Sequence, residues 1–153
     1  MKWTYQEFGE LSGHEVYEIL KLRVDVFIVE QNCAYHEVDG HDYNAIHICC
    51  TDDEGLAAYA RLIPGGVKYI EPSIGRVIIR EDRRGTGLAH MLMERSVDFM
   101  KSHWKPEKIR LQAQHHLVGF YGKHGFEAVS EPYADDGIPH VDMILINLEN
   151  ESF

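Results

Sequence analysis

Apolar and polar positions alternate at the start of the chain, and the alternation soon gives way to helical spacing. Trp3-Thr4-Tyr5-Gln6 has the two-residue period of a half-buried strand. Leu11-Ser12-Gly13-His14-Glu15-Val16 then carries a helix-start signature, in which Ser12 caps the Glu15 amide, Glu15 reaches back and Leu11 staples onto Val16. Val16, Ile19, Leu20, Val24 and Phe27 continue one apolar helix face, which runs out near Glu30-Gln31-Asn32. A polar loop rich in Asp, His and Gly follows.

Residues 45–50 read as a strand, Asp52-Asp53-Glu54-Gly55 as a turn, and residues 56–63 as the returning strand. After a loop opened by Pro64-Gly65-Gly66, residues 74–79 form another strand. A glycine-rich turn leads into a helix that begins near Leu88, with Leu88, Met91, Leu92 and Phe99 on one side, and ends before Pro106. Residues 109–113 are a strand and 116–124 a short helix that Gly125 closes as a left-handed cap. Two last strands lie at 126–133 and 141–148, joined by residues 134–139. The order β-α-β-β-β-α-β-α-β-β predicts an α/β fold, a mixed sheet of about seven strands flanked by helices.

With 153 residues and no repeat or linker-like stretch, residues 1–153 read as a single domain. No apolar stretch reaches membrane-span length and the N-terminus has no signal core, so a cytoplasmic protein without a membrane partner is expected. Adjacent Cys49 and Cys50 point to opposite strand faces, so with Cys33 they make a poor disulfide framework. Neither the cysteines nor the ten histidines have the spacing of a metal site, so no metal is expected. A net charge of −10 argues against a nucleic-acid partner. The acidic residues cluster: Glu127, Glu131, Asp135, Asp136, Asp142, Glu149 and Glu151 lie beyond His124, where there is no Lys or Arg, and Glu30, Glu37, Asp39 and Asp42 lie in the polar loop. Such clusters form either a solubilising surface or a funnel for a cationic amine.

The turn Arg83-Arg84-Gly85-Thr86-Gly87 sits between a strand and an amphipathic helix. Amides at a helix N-terminus converge on an anion, and glycines let the backbone approach a phosphate closely. A tight β-to-α turn would also use glycine for its dihedral angles alone. A P-loop lysine is missing, and Gly85-Thr86-Gly87 falls short of a dinucleotide fingerprint.

Arg84-Gly85-Thr86-Gly87-Leu88-Ala89 matches the [Q/R]xxGx[G/A] motif of the GNAT acyltransferases. The chain further resembles their ElaA-like branch in Leu22-Arg23-Val24-Asp25-Val26-Phe27-Ile28-Val29-Glu30-Gln31-Asn32-Cys33, in Ile74-Gly75-Arg76-Val77, in Phe120-Tyr121 with Gly125-Phe126, and in Asp136-Gly137-Ile138-Pro139-His140. The resemblance spans nearly the whole chain. It implies a GNAT-type fold with acetyl-CoA as cosubstrate, bound where the sheet opens. Backbone groups of Val77 and Ile79 would then hold the pantetheine arm, and the amides of Arg84, Gly85, Thr86, Gly87, Leu88 and Ala89 the pyrophosphate. Gln114 stands where the family often has Asn, and Leu117 where it usually has Ala, which puts the corresponding bond to the pantetheine arm on Gln114.

Transfer to an amine needs a neutral amine and a proton for the departing thiolate. The resemblance implies that Tyr121 lies beside the CoA sulfur for the second role, and a phenol stays protonated at neutral pH. Candidate bases are Glu30, Asp39, His116 and His140, with Glu30 and His140 foremost. Arg23, seven residues before Glu30 on one helical face, is expected to brace the acceptor loop. The activity implied is N-acetylation of a small or peptide-borne cationic amine by direct attack in a ternary complex. A non-catalytic CoA-binding or interaction module is the alternative. A third reading is acyl transfer to S-adenosylmethionine, as in the autoinducer synthases, but the tryptophan pattern of those enzymes is missing. Oligomeric state is left open, a homodimer included.

Overall fold

The computed structural model describes residues 1–147. Leu148, the end of the expected last strand, lies outside the described residues, as do Glu149 and Glu151. The elements are β1 (Lys2–Glu7), α1 (Gly13–Arg23), a π-helical continuation (Val24–Glu30), β2 (Ile46–Asp52), β3 (Gly55–Ile63), β4 (Ser73–Ile79), α2 (Leu88–His103), β5 (Lys108–Gln114), α3 (Val118–Gly122), β6 (Glu127–Ala128), β7 (Tyr133–Asp135) and β8 (Ile138–Ile146). They form one sheet in the order β1-β2-β3-β4-β5-β8-β6, with β7 paired to β8. Every pairing is antiparallel except β4 with β5.

Eight strands appear where about seven were expected, because the segment 126–133 is split. Pro132 has no N–H to offer a ladder. Just before it, the Ser130 hydroxyl accepts the Asp142 amide at 2.9 Å and stands in for a strand bond. The first helix begins as its sequence requires: Ser12 accepts from the Glu15 amide, and Glu15 accepts from the Ser12 amide. It does not remain α-helical to Glu30. The π winding of 24–30 adds a residue per turn, so Arg23 and Glu30 do not share a face. Arg23 is wholly buried and Glu30 is exposed.

Side-chain alternation sorts the core into two layers. Ile48, Cys50, Ala58, Ala60 and Leu62 pack with Leu88, Leu92, Met93, Val97 and Met100 of α2. Cys49 and Tyr59 face the other way and pack with Ile19 of α1. In β4 the parity is broken. Tyr59 pairs with Ile78 and Arg61 with Gly75, so β4 carries one residue more than β3 over this stretch. Ile74 consequently joins the α2 layer, whereas Ile78 joins the α1 layer. Arg76 occupies the bulge at φ +49°. That conformation is costly for a residue with a Cβ, and ion pairing of the Arg76 side chain holds it there.

Candidate active site

The bulge opens the sheet. β4 and β5 pair only at Ser73 with Arg110 and Ile74 with Leu111. Beyond Ile74 the edge of β4 that faces β5 has no strand partner among the described residues, and a cleft enters between them. Phe27, Gln31, Val77, Gln114, Leu117 and Tyr121 are among the residues along it. Unpaired backbone groups in a half-enclosed cleft favour an extended ligand with amide groups of its own. The Gln114 amide donates to Gln31 Oε1 at 3.3 Å and links the end of β5 to the π-helical segment.

At one end of β4 lies the glycine-rich turn. Gly85 and Gly87 have φ of +75° and +85°, and a Cβ added at either would meet only open space, so conformation rather than crowding selects glycine. Gly87 is the N-cap of α2 and supplies no side-chain cap, and the first turn carries no acidic residue. The first amides of a sixteen-residue helix are therefore left for an anion. The Thr86 hydroxyl donates instead to the Arg83 carbonyl at 2.5 Å. Arg84 donates from Nε to the Ile79 carbonyl at 3.0 Å, and its two Nη atoms grip Glu30. Leu88 is buried under the turn, and Ala89 follows it on the helix.

Tyr121 lines the cleft with its ring fixed edge-on against Phe120 and Phe126. Among the described residues its hydroxyl has no hydrogen-bond partner, and burial pushes the phenol up to about 12. Tyr121 thus presents a fully protonated hydroxyl with no competing acceptor. Of the four candidate bases, His140 alone lines the cleft. Its Nδ1–H donates to the Ile138 carbonyl at 2.7 Å, which leaves the Nε2 lone pair free. Glu30 is engaged by Arg84, Asp39 is engaged by Arg61, and His116 is exposed.

Beneath the cleft lies a network that sequence reasoning reached only at Arg23. Arg23 donates to both Glu37 carboxylate oxygens at 3.0 and 2.9 Å and to Asp42. Arg61 bonds Asp39 at 2.8 and 2.9 Å and Asp42 at 3.1 Å, and Arg76 reaches Glu37 and Asp39. Three guanidiniums thus tie the polar loop to β3, β4 and α1. Arg61 and Arg76 lie within strand sequences, where no local signal marks them as partners of residues 37–42. Burial works against the Asp42 carboxylate, but hydrogen bonds and charge from Arg23 and Arg61 outweigh it and hold its pKa below the usual value. The acidic loop is therefore neutralised and is not a free negative funnel.

A splayed mixed sheet, an uncapped helix start beyond it and a protonated tyrosine in the opening occur here on the fold of an N-acyltransferase. The family described as Acetyltransferase (GNAT) domain matches residues 12–146, and the chain belongs to it, in the ElaA-like branch. It is 39% identical to protein ElaA of Escherichia coli over 94% of this chain and 95% of that one. A UPF0039 protein of Synechocystis sp. is 38% identical over 94% of each chain. Among solved structures, an acyl-CoA N-acyltransferase from Pseudomonas aeruginosa superposes with a TM-score of 0.89 at 40% identity, covering 94% of this chain and 98% of that one. The crystal structure of E. coli ElaA gives 0.88 at 38% identity, covering 95% and 99%.

Proposed function

We propose that this protein transfers an acetyl group from acetyl-CoA to an amine by direct attack within a ternary complex. The observation that carries the reading is the meeting, in one cleft, of the unpaired β4 edge with the free Tyr121 hydroxyl. Acetyl-CoA supplies the acyl group as a thioester. The backbone of Val77 and Ile79 with the side chain of Gln114 holds its extended arm, and the amides of residues 84–89 hold its pyrophosphate. His140 Nε2 takes up the proton that the amine sheds as the new N–C bond forms. Tyr121 gives its proton to the sulfur as the C–S bond breaks, and solvent resets both groups. Glu30 serves as the partner that holds Arg84 in place. The free thiols Cys33, Cys49 and Cys50 suit a reducing cytoplasm.

The test is a thermal-unfolding titration with acetyl-CoA and CoA, coupled to thiol release with an amine panel. Ligand at about a hundred times its Kd should stabilise the fold by about 2.7 kcal/mol. No shift at millimolar ligand overturns the reading, and binding without turnover on any amine reduces it to a CoA-binding module.

A further inference from the structure

The acceptor end of the cleft, beyond His140, holds charges of both signs that the protein leaves unbalanced. Most of the acidic residues around it are already paired: Glu37, Asp39 and Asp42 with the three guanidiniums, and Asp142 with Arg110 at 3.1 Å. Asp135 and Asp136 also line the cleft and differ from these. Asp135 is held at 2.9 Å by the neutral amide of Gln112, and among the described residues the Asp136 carboxylate has no partner. Only the Asp136 carbonyl is engaged, by the Cys33 thiol at 3.2 Å, which joins the two walls of the cleft.

The same cleft also holds a cation with no ion pair among the described residues. Lys68 lines the cleft from the β3–β4 loop and makes no ion pair among the described residues; its ammonium lies 5.5 Å from the Tyr69 ring centroid. The loop holds this position tightly. The Gly66 amide donates to the Tyr69 carbonyl at 2.7 Å, and a Cβ on Gly65 would sit 2.7 Å from the Ile70 carbonyl oxygen. The loop is exposed, yet desolvation of the ammonium and the nearby Arg61 and Arg76 pull Lys68 below the ordinary lysine value. At the floor, Arg61 is 1% exposed and its Nε–H has no acceptor among the described residues. Arg61 and Arg76 are already balanced, so among the described residues Lys68 is the one cation in the cleft without an ion pair, and it disfavours a polyamine at that end. Two unpaired carboxylates disfavour a simple anion. A ligand with one charge of each sign satisfies both ends.

Resting on the acetyl-transfer reading, we propose that the acceptor is a small zwitterionic amine of the amino-acid type. Lys68 takes its carboxylate, Asp135 and Asp136 draw its ammonium toward His140, and the ammonium gives one proton to solvent before the neutral amine attacks.

The test measures thiol release from acetyl-CoA with free amino acids, including β-alanine and 4-aminobutyrate. Each is compared with its carboxamide and its decarboxylated amine, for wild type and Lys68→Glu. At least one amino acid should exceed both of its counterparts by about tenfold or more in kcat/KM, as expected when a counterion is lost from a built site. K68E, a change on an exposed loop, should shrink that ratio to about threefold or less through the amino acid's KM. Amides or decarboxylated amines used equally well overturn the proposal and leave acetyl transfer standing. A preference that survives K68E overturns it too. Transfer to none of these compounds also overturns it, and the acetyl-CoA melting shift in the same samples reports separately on the donor site.

Discussion

Arg84 and Glu30 face each other as a two-pronged ion pair, Nη1 to Oε2 and Nη2 to Oε1, both at 3.0 Å. The pair joins the turn before α2 to the end of the π-helical segment, across fifty-four residues of sequence. It sets the same arginine that the family motif places at the pyrophosphate against a carboxylate that sequence alone offered as a base. The π winding explains this, since it carries Glu30 away from the buried face of Arg23 and toward the turn.

Replacing Glu30 with Gln should leave kcat within about threefold of wild type, where loss of a general base would cost about 10²-fold or more. Both partners are roughly two-fifths exposed, so the pair is worth at most about 1 kcal/mol to stability. Arg84→Ala, which keeps the residue-84 amide but removes the positive charge beside the helix start, should weaken CoA by about tenfold. Steady-state kinetics of both variants, with CoA titrations, check the division of roles. A large loss of kcat in E30Q would return Glu30 to the chemistry.

Tyr121→Phe should lower kcat by about 10²-fold while changing the CoA Kd less than about twofold, since the hydroxyl donates only as charge develops on sulfur. The fold should hardly notice, because no protein group accepts from that hydroxyl among the described residues. With the phenol pushed up to about 12, its proton is retained through the accessible alkaline range. Turnover of the wild type should therefore show no falling limb from Tyr121 below about pH 10. Thermal melts alongside pre-steady-state thiol release separate chemistry from folding.

His140→Gln removes the free Nε2 while the new side chain can still bond the Ile138 carbonyl. Turnover at neutral pH should fall by about 10²-fold. The deficit should shrink as pH rises and solution supplies the amine already deprotonated. A pH–rate comparison from 6 to 10 checks this, and a pH-independent deficit would make His140 a positioning residue only.

Much of this fold was legible because its signals are local. The Ser12–Glu15 cap, the alternation that puts Cys49 and Cys50 on opposite faces, and Gly125 at φ +89° all appear where short-range pattern put them. The misplaced details are those that tertiary contacts decide. The π winding after Arg23 shows no break in apolar spacing, and the β4 bulge at Arg76 is stabilised by Glu37, thirty-nine residues away. The acceptor end was least legible for the same reason. Counting acidic residues gave a negative loop, and only the fold shows that Arg23, Arg61 and Arg76 neutralise it and that Lys68, without an ion pair among the described residues, lines one cleft with Asp135 and Asp136.

The buried network makes a prediction about acid. His47 is 1% exposed, with Nε2–H donating to the Asp42 carbonyl at 2.9 Å and Nδ1 accepting from Tyr59 at 2.6 Å, so the neutral ring is fully satisfied. Desolvation therefore depresses its pKa, against the opposing pull of Asp42. Asp39 and Asp42 are depressed as well, because Arg61 and Arg23 overcome the cost of burying them. In each case the folded form binds a proton less readily than the unfolded chain. The stabilisation is complete above the unfolded values, about 6.5 for histidine and 3.9 for aspartate, and drains away as pH falls through the lower folded ones. Urea midpoints should accordingly be flat above about pH 7, slope downward below about pH 6.5, and fall more steeply below about pH 4. Removing one partner is harsher: Arg23→Ala leaves Glu37 and Asp42 buried without their shared cation and should cost about 3–5 kcal/mol. Arg23→Met, which keeps the volume but not the charge, should recover little of that loss at pH 7. It should recover more near pH 4, where the stranded carboxylates take up protons, so the gap from wild type should narrow as pH falls. A gap that stays constant with pH would mean that packing around Arg23, rather than its charge, holds the loop at residues 37–42.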